Sequence, residues 1–442
     1  MQTIIQAVEK HKQLILDAER YLWKNPETGY KEWKTTAYLA EQYRALGYTL
    51  VMAEGITGFY TVIDTGRKGP EIMILGELDS IICPTHKDAD PETGAVHSCG
   101  HNAQSATLLG IAAALKEPHM LDGLCGKIRL CAVPAEELLE IEYRRELIKA
   151  GKIRYLGGKC EFLARGYFDG VDIAFMVHTA SSFLIRQGAV GMVAKNITYK
   201  GKSAHAGGAP HAGINALYAA NCGLNAINAI RETFQEKDLI RVHPIVTSGG
   251  DMVNAIPENV RLESYVRGAD FDAILAANKK VNRALVGAAL SIGANIEIVD
   301  IPGYAPLNND PGMIALAKDA FAQILPNETM TESPCKSTGS TDMGDLGCIM
   351  PVIHPYCAGS TGTSHGNNYT ISDPQKACVD NAKWQLAMLH LLLENDACRA
   401  KQILADFQPM FQTSKEYLSF IDSLRDAGDR IEYREDGAMV RI

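Results

Sequence analysis

Three short apolar runs, EIMILGEL at 71–78, KIRLCAV at 127–133 and DIAFMV at 172–177, constrain the architecture of this chain more than any other feature. Each is a near-continuous run of apolar residues and not an alternation, so neither face of the strand is given to water and both must be covered. Helical stretches separate the runs. Strands buried on both faces with helices between them predict a largely parallel α/β sheet. At 442 residues the chain is longer than one hydrophobic core usually serves, which predicts two domains.

The segment 191–303 changes character. Strand-like MVAKNITYKG, an Ala-rich helix from Ile214 to Glu232, strands IRVHPIVTSGG and NVRLESYVRG, a helix from Asp272 and strand-like IEIVDIPG follow one another. Strand, helix, two strands, helix, strand is the split βαβ order of an α+β, ferredoxin-like sandwich, and its position predicts an inserted domain. Beyond it, PGMIALAKDAFAQIL and DPQKACVDNAKWQLAMLHLLLEN return to the earlier style. The first domain is therefore expected to be discontinuous, 1–190 together with 304–395, and 396–442 is expected to form an appended helical tail.

Charge and composition exclude several classes of function. The net charge of −9 is spread without long acidic or basic runs, which argues against a nucleic-acid partner. No apolar run approaches the length of a membrane span, the closest being ALVGAALSIGA. The N-terminal MQTIIQAVEKHKQLILDAERYLWK has helical, amphipathic spacing and not the pattern of a signal peptide. The 11 cysteines are odd in number and irregular in spacing, which favours reduced thiols and a cytoplasmic location over a disulfide framework.

The densest group of chemically active residues is His97-Ser98-Cys99-Gly100-His101, just before the apolar helix AQSATLLGIAAAL. Cys99 and His101 at a helix entry can face one zinc-like ion, since thiolate and neutral imidazole are its preferred ligands. A buried thiol beside a capping histidine would look the same. KIRLCAV runs into Pro134-Ala135-Glu136-Glu137, and DIAFMV runs into His178. Carboxylates at the end of a buried strand lie where open α/β sheets form ligand sites, although a Glu pair also suits a helix N-terminus and a strand-end histidine is often only a satisfied polar residue. Three element ends in one domain, each delivering a metal-type ligand, are better explained together than singly.

The ordered set GELDS, HSCGHN, PAEE, VHT, GKSAHAGGAPHAGINAL, VNAIP, RG and SHGNNY resembles the M20 metallopeptidases and amidohydrolases, an aminoacylase and carboxypeptidase-like family, and in particular its aminobenzoyl-glutamate hydrolase branch. The resemblance extends from NPETGYKEW to HGNNY near residue 369, leaving only the tail uncovered. It implies a zinc-exopeptidase-like α/β catalytic domain with an inserted dimerisation domain. It also implies Cys99, His101, Glu137, His178 and His365 as ligands of two divalent metals (zinc, manganese, nickel or cobalt), with Cys99 shared. Glu136 becomes the general base for a metal-activated water, and Asp79 an acid that orients a metal-site histidine. His205, in G-K-S-A-H, is implied to stabilise the oxyanion in the partner's active site of a homodimer. Asn254 and Arg267 are implied to line the substrate site, where a guanidinium suits a carboxylate. His205 could instead be a turn histidine, and Arg267 a surface arginine.

The expected activity is hydrolysis of the amide bond of an N-acyl or N-aroyl amino acid, or of a small dipeptide-like amide. Two other classes share these residues. One is a catalytically silent relative that binds a ligand or partner, for which Glu136 would have no use; the other is a thiol enzyme using Cys99. Relatives often carry aspartate after C-G-H, a histidine two residues further on and A-D-M-D, where this chain has Asn102, Gln104 and GELD. These departures remove no implied ligand and are expected to lower the negative charge near the metals, which bears on metal identity and affinity more than on the reaction type. The long connection between Glu137 and His178 is expected to shape the pocket.

Overall fold

The computed structural model describes residues 1–442. Its main sheet has the strand order Val51–Met52, Phe59–Asp64, Lys127–Val133, Glu71–Glu77, Ile173–Phe175, Val352–Ile353. The last four run parallel, and the first two add antiparallel at one edge. All of Glu71–Glu77 is buried, as its unbroken apolar character demands. The helix His101–Ala114 is buried along its whole length, because its small and apolar side chains leave no polar stripe to face water. It packs between the sheet and the helices Lys12–Lys24 and Asn381–Asp406. The chain is thus mixed α/β, with its largest core around the parallel strands.

A second sheet is entirely antiparallel. Its strands Gly191–Lys200, Ile245–Ser248, Asn259–Gly268 and Asn295–Pro302 lie in the spatial order fourth, first, third, second, the split βαβ arrangement. Asn259–Gly268 alternates buried and less buried residues, so only one face is covered. The helices Ala216–Ile230, capped by Asn215, and Phe271–Ile292, capped by Asp270, pack with this sheet around a core of their own. The expected single strand IRVHPIVTSGG is two pieces, Arg241–Val242 and Ile245–Ser248. Pro244 lies between them and has no N–H to give to the ladder.

The tail differs from the helical segment expected for 396–442. The long helix continues to Asp406 across a break at Glu394–Ala397, and a helix follows at Ser414–Ser423. The chain then turns to strands. Asp426–Asp429 pairs with Asn295–Pro302, and Ile431–Arg434 and Gly437–Val440 form a hairpin. The stretch DAGD has little strand propensity of its own; an available sheet edge makes it a strand. The tail is anchored in both directions. Buried Arg430 donates to the Ile298 carbonyl at 3.0 Å, Tyr155 donates to Asp422 at 3.1 Å, and the Tyr417 hydroxyl donates to buried Asp345.

Asp345 carries a stability prediction. Burial, reinforced by the Asp342 carboxylate, pushes its acid up to about 7 despite hydrogen bonds from Tyr417 and the Ala305 amide. A carboxyl whose pKa is raised by folding costs stability as it ionises, so the loss begins above the unfolded value near pH 4 and is complete above the folded value near pH 7. Asp345→Asn is expected to remove that decline and to stabilise the protein at pH 8 by up to roughly 4 kcal/mol. Urea midpoints of both proteins across this range would test it, and identical pH profiles would refute it.

Candidate metal centre

The carboxyl ends of the four parallel strands converge on one place, as in open α/β sheets generally. Glu77 ends Glu71–Glu77, with Asp79 two residues on; Glu136 and Glu137 follow Lys127–Val133; His178 follows Ile173–Phe175; His354 follows Val352–Ile353. Cys99 and His101 arrive from the helix entry. Gly100 between them has a φ of 93°, and a Cβ there would stand 2.5 Å from the Tyr369 hydroxyl, so glycine is required at this turn.

Ala135 adopts a φ of 57°, a conformation that non-glycine residues rarely hold. The surroundings hold it there. Its amide donates to Glu32 at 2.8 Å, the Glu137 amide donates to Asp79 Oδ2 at 2.7 Å, and buried Arg144 donates to the Glu137 and Leu156 carbonyls. This turn sends the adjacent carboxylates in different directions. Glu137 Oε1 lies 2.9 Å from His365 Nε2, and Glu136 Oε2 lies 3.9 Å from His101 Nε2.

Three sets of metal-type atoms result: Cys99 with His101 and His178, Cys99 with Glu137 and His365, and Glu77 with His101 and Glu136. Within each set the atoms lie within 4.8 Å of one another; Cys99 belongs to the first two and His101 to the first and third. His101 Nδ1 sits 3.0 Å from the Asp79 carbonyl and 3.1 Å from Asp79 Oδ1, and His178 Nδ1 sits 2.8 Å from the Thr179 carbonyl. Acceptors at both Nδ1 atoms favour the tautomer that turns the Nε2 lone pair into the cluster. His101 Nε2 and Glu77 Oε2 are buried and 3.2 Å apart; their polar contacts are with each other and, for His101, with the Glu136 carboxylate at 3.9 Å. Imidazole and carboxylate atoms without hydrogen-bond partners, gathered in a dry site beside the Cys99 thiol, fit divalent cations.

With side chains alone, the positive charge that opposes the cluster's acids falls on the histidines. Burial and the Glu137 carboxylate oppose ionisation of Cys99, but the His101 and His178 imidazoles outweigh them and bring the thiol down to about 6. Burial also opposes ionisation of Glu137, and His365 overcomes it, lowering the acid to about 2. Glu136 goes the other way. Burial, followed by the charges of Glu77, Glu137 and Asp342, raises it well above an ordinary carboxyl.

A cavity of about 500 Å³ opens over these groups and is lined by Cys99, Glu136, Glu137, His178, His365 and Arg267, among others. Arg267 reaches it from the end of Asn259–Gly268, and its Nε is buried without a partner. His205 and Asn254 are not brought to the cavity. Both are exposed on one ribbon of the antiparallel part, where His205 bridges Ala255. His205 Nδ1 accepts from the amides of Gly207 and Gly208 at 3.2 and 2.9 Å, which leaves its hydrogen on an outward Nε2.

Sequence reasoning missed Glu77, Lys159 and His354. Lys159, fully buried, donates to Glu77 Oε1 at 2.5 Å and also to Asp342. His354 lines the cavity, and burial brings its imidazole down to about 3. Its signal was present, since PVIH repeats the pattern of an apolar strand ending in histidine seen in FMVH. The expected effect of Asn102 on charge near the metals needs correction. Its side chain donates to buried Glu19 at 2.9 Å, on the helix Lys12–Lys24. The long connection supplies Leu138 and Leu139 to the cavity wall, but its larger contribution is the two buried cations Arg144 and Lys159.

Comparison with known proteins places these features in context. The profile of peptidase family M20/M25/M40 matches residues 38–390. The Xaa-Arg dipeptidase of Mus musculus is 26% identical over 363 residues, covering 79% of this chain and 78% of that protein. The N-acetyl-L-cysteine deacetylase of Bacillus subtilis is 28% identical over 348 residues, covering 75% of this chain and 76% of that one. Among solved structures, a dinuclear metal-binding peptidase from Bacillus subtilis shares the fold, with a TM-score of 0.63 and 20% identity over 87% of this chain and 98% of the other.

Proposed function

The chain belongs to peptidase family M20/M25/M40 and is a metal-dependent hydrolase of amide bonds, and from that premise we propose that it cleaves N-acyl or N-aroyl amino acids or small dipeptides, using two divalent ions (zinc, manganese, nickel or cobalt). One observation carries the reading: two ligand sets sharing Cys99 face the same cavity as Glu136 and Arg267. The dipeptide and N-acyl-amino-acid activities in the names of the relatives fit a cavity with one fixed cation, since the products of such cleavage include an amino acid.

Bound metal ions at such a site polarise a carbonyl and lower the pKa of water. Glu136 takes the proton from the attacking water and hands it to the departing amine. Glu136 lines the cavity and so can hold that proton between the two transfers. The Tyr304 hydroxyl, bonded to the Glu136 carbonyl, fixes the backbone from which Glu136 reaches the cavity. Arg267 pairs with the substrate carboxylate and so sets which end of the amide faces Glu136.

In this proposal residues 191–303 form a dimerisation domain inserted between 1–190 and 304–395, and His205 acts in the partner's site. Three features support it. His205 is exposed with its Nε2 hydrogen outward, Asn254 is beside it, and Tyr218, Ile245, Met252 and Val253 form an exposed apolar group on the same part, Val253 being 100% exposed. The odd and irregularly spaced cysteines support a cytoplasmic location. No helix is long and apolar enough to cross a membrane.

The test is metal content together with hydrolysis of a panel of N-acyl, N-aroyl and dipeptide substrates. About two ions per chain are expected, with activity falling at least ~100-fold on chelation and returning when metal is restored. A protein that binds no metal would refute the reading. One that binds metal and cleaves nothing would favour a binding module built on the same fold.

A further inference from the structure

We propose that the tail is a strap fixing the angle between the two sheet-bearing parts of the chain, and that it thereby holds Arg267 in place over the cavity and sets the affinity for a substrate carboxylate. The proposal rests on the role given above to Arg267 and adds a device beyond the family profile, which ends at residue 390. The cavity is assembled from both parts. Arg267 and Tyr265 come from Asn259–Gly268 of the antiparallel sheet, whereas Glu136, Glu137 and His178 stand at the ends of parallel strands. The distance from the guanidinium to Glu136 therefore follows the angle at which the parts meet. The chain crosses between them at 190–192 and 302–304, and the crossings lie side by side: the Met192 amide donates to the Tyr304 carbonyl at 2.8 Å, and the Gly303 amide to the Met192 carbonyl at 3.2 Å. Two adjacent crossings form a hinge, which fixes a position but not an angle.

The tail adds a third connection. Its helix Ser414–Ser423 ends against the hinge, where Ile421 and Leu424 share a small void with Met192, Pro302, Gly303 and Tyr304. On the parallel side Asp422 accepts from the Tyr155 hydroxyl at 3.1 Å and from Arg154, and Arg425 donates to the Arg154 carbonyl at 2.6 Å. Tyr417 and the Ala305 amide, just past the hinge, both donate to Oδ1 of buried Asp345. On the antiparallel side Phe420 meets Phe271 edge to face at 4.9 Å, Asp426–Asp429 pairs with Asn295–Pro302, and Ile431 enters the core of that sheet. Between the two anchorages stand only Ser423, Leu424 and Arg425, and the Leu424 and Arg425 amides turn back onto the Ile421 and Asp422 carbonyls at 3.1 and 3.2 Å. The strap is therefore short. A side-chain contact across the junction, such as Arg145 with Asn196 at 2.9 Å, can yield when the parts turn, but a paired strand cannot turn without breaking its ladder.

The test slackens the strap while leaving both anchorages in place, by inserting about eight Gly/Ser residues between Leu424 and Arg425 of the full chain, a flexible reach of roughly 15 Å. Asp422→Ala, which frees the strap from Arg154 and Tyr155, is the second variant and decides the matter should the insertion fail to fold. The substrates are an N-acyl amino acid and its primary amide, which lacks the carboxylate; hydrogen exchange at the Met192 and Ala305 amides reads the hinge without substrate. If a slack strap leaves the present angle populated about a tenth of the time or less, KM for the acid rises at least ~10-fold, with kcat within about threefold of wild type. Asp422→Ala is expected to raise it at least ~3-fold, and exchange at both hinge amides to quicken at least ~10-fold on insertion. KM for the amide stays near wild type, and the insertion adds less than about twofold to the KM of Arg267→Ala, since its effect passes through that residue. Wild-type KM in both variants overturns the proposal, as does an insertion that raises the KM of Arg267→Ala as much as that of the wild type. An Arg267→Ala variant with unchanged KM removes the carboxylate role and the proposal with it. A chain that cleaves no amide removes the reading of function, and hinge exchange then decides the strap: quickened rates support it, and wild-type rates in both variants overturn it.

Discussion

Glu136→Gln is expected to lower kcat by roughly 10³-fold, within the 10² to 10⁴ range typical of a lost general base, while metal content and KM stay near wild type. Glutamine preserves the volume of the side chain and the turn at Ala135, yet it cannot accept a proton from water at neutral pH. Metal retention follows from geometry. Glu136 belongs to neither of the sets that share Cys99; in the third set, with Glu77 and His101, its oxygen stands off at 3.9 Å from His101 Nε2. Steady-state kinetics alongside metal analysis separate the possibilities. A fall in kcat of less than tenfold would remove Glu136 from proton transfer, and a variant stripped of metal would show that the residue helps to bind the ions.

His205→Ala is expected to cost roughly 10² to 10³ in kcat, the usual consequence of losing one donor to a developing oxyanion. The effect is unexpected from a single chain, because His205 is exposed and does not line the cavity. Mixing inactive His205→Ala and Glu136→Gln chains and allowing subunits to exchange gives a direct test. Half of a random mixture is hybrid dimer and each hybrid holds one complete site, so activity should return to roughly a quarter of wild type. Exchange verified by mass without any recovery would confine His205 to its own chain.

Much of the centre was legible because it is built at strand ends. An unbroken apolar run followed at once by Glu136-Glu137 or by His178 already says that a polar group emerges where a parallel sheet stops, and the convergence of those ends follows from the topology. Less legible were groups whose meaning depends on what they face. Lys159 looks like any lysine opening a helix in a long connection until the fold sets it between Glu77 and Asp342. Glu77 stands in GELD as a departure from a family pattern, and only the position of His101 Nε2 gives its carboxylate a purpose. Asn102 shows the converse error, since adjacency to His101 in sequence suggested adjacency to the metals, whereas helical geometry turned it toward Glu19. The strands of the tail escaped notice for a related reason: DAGD becomes a strand only because Asn295–Pro302 offers it unpaired amides.

That pairing has a consequence for how many chains can join. A sheet with two free edges can accept a neighbour on each side, and such growth has no natural end. Here the Asn295–Pro302 edge is closed by the chain's own Asp426–Asp429, whose terminal aspartates discourage a further strand from adding beyond it. The exposed Ile245–Ser248 strand remains at the opposite edge. Two copies meeting through that same edge would use it up on both, and the assembly would stop at a pair instead of lengthening into a filament.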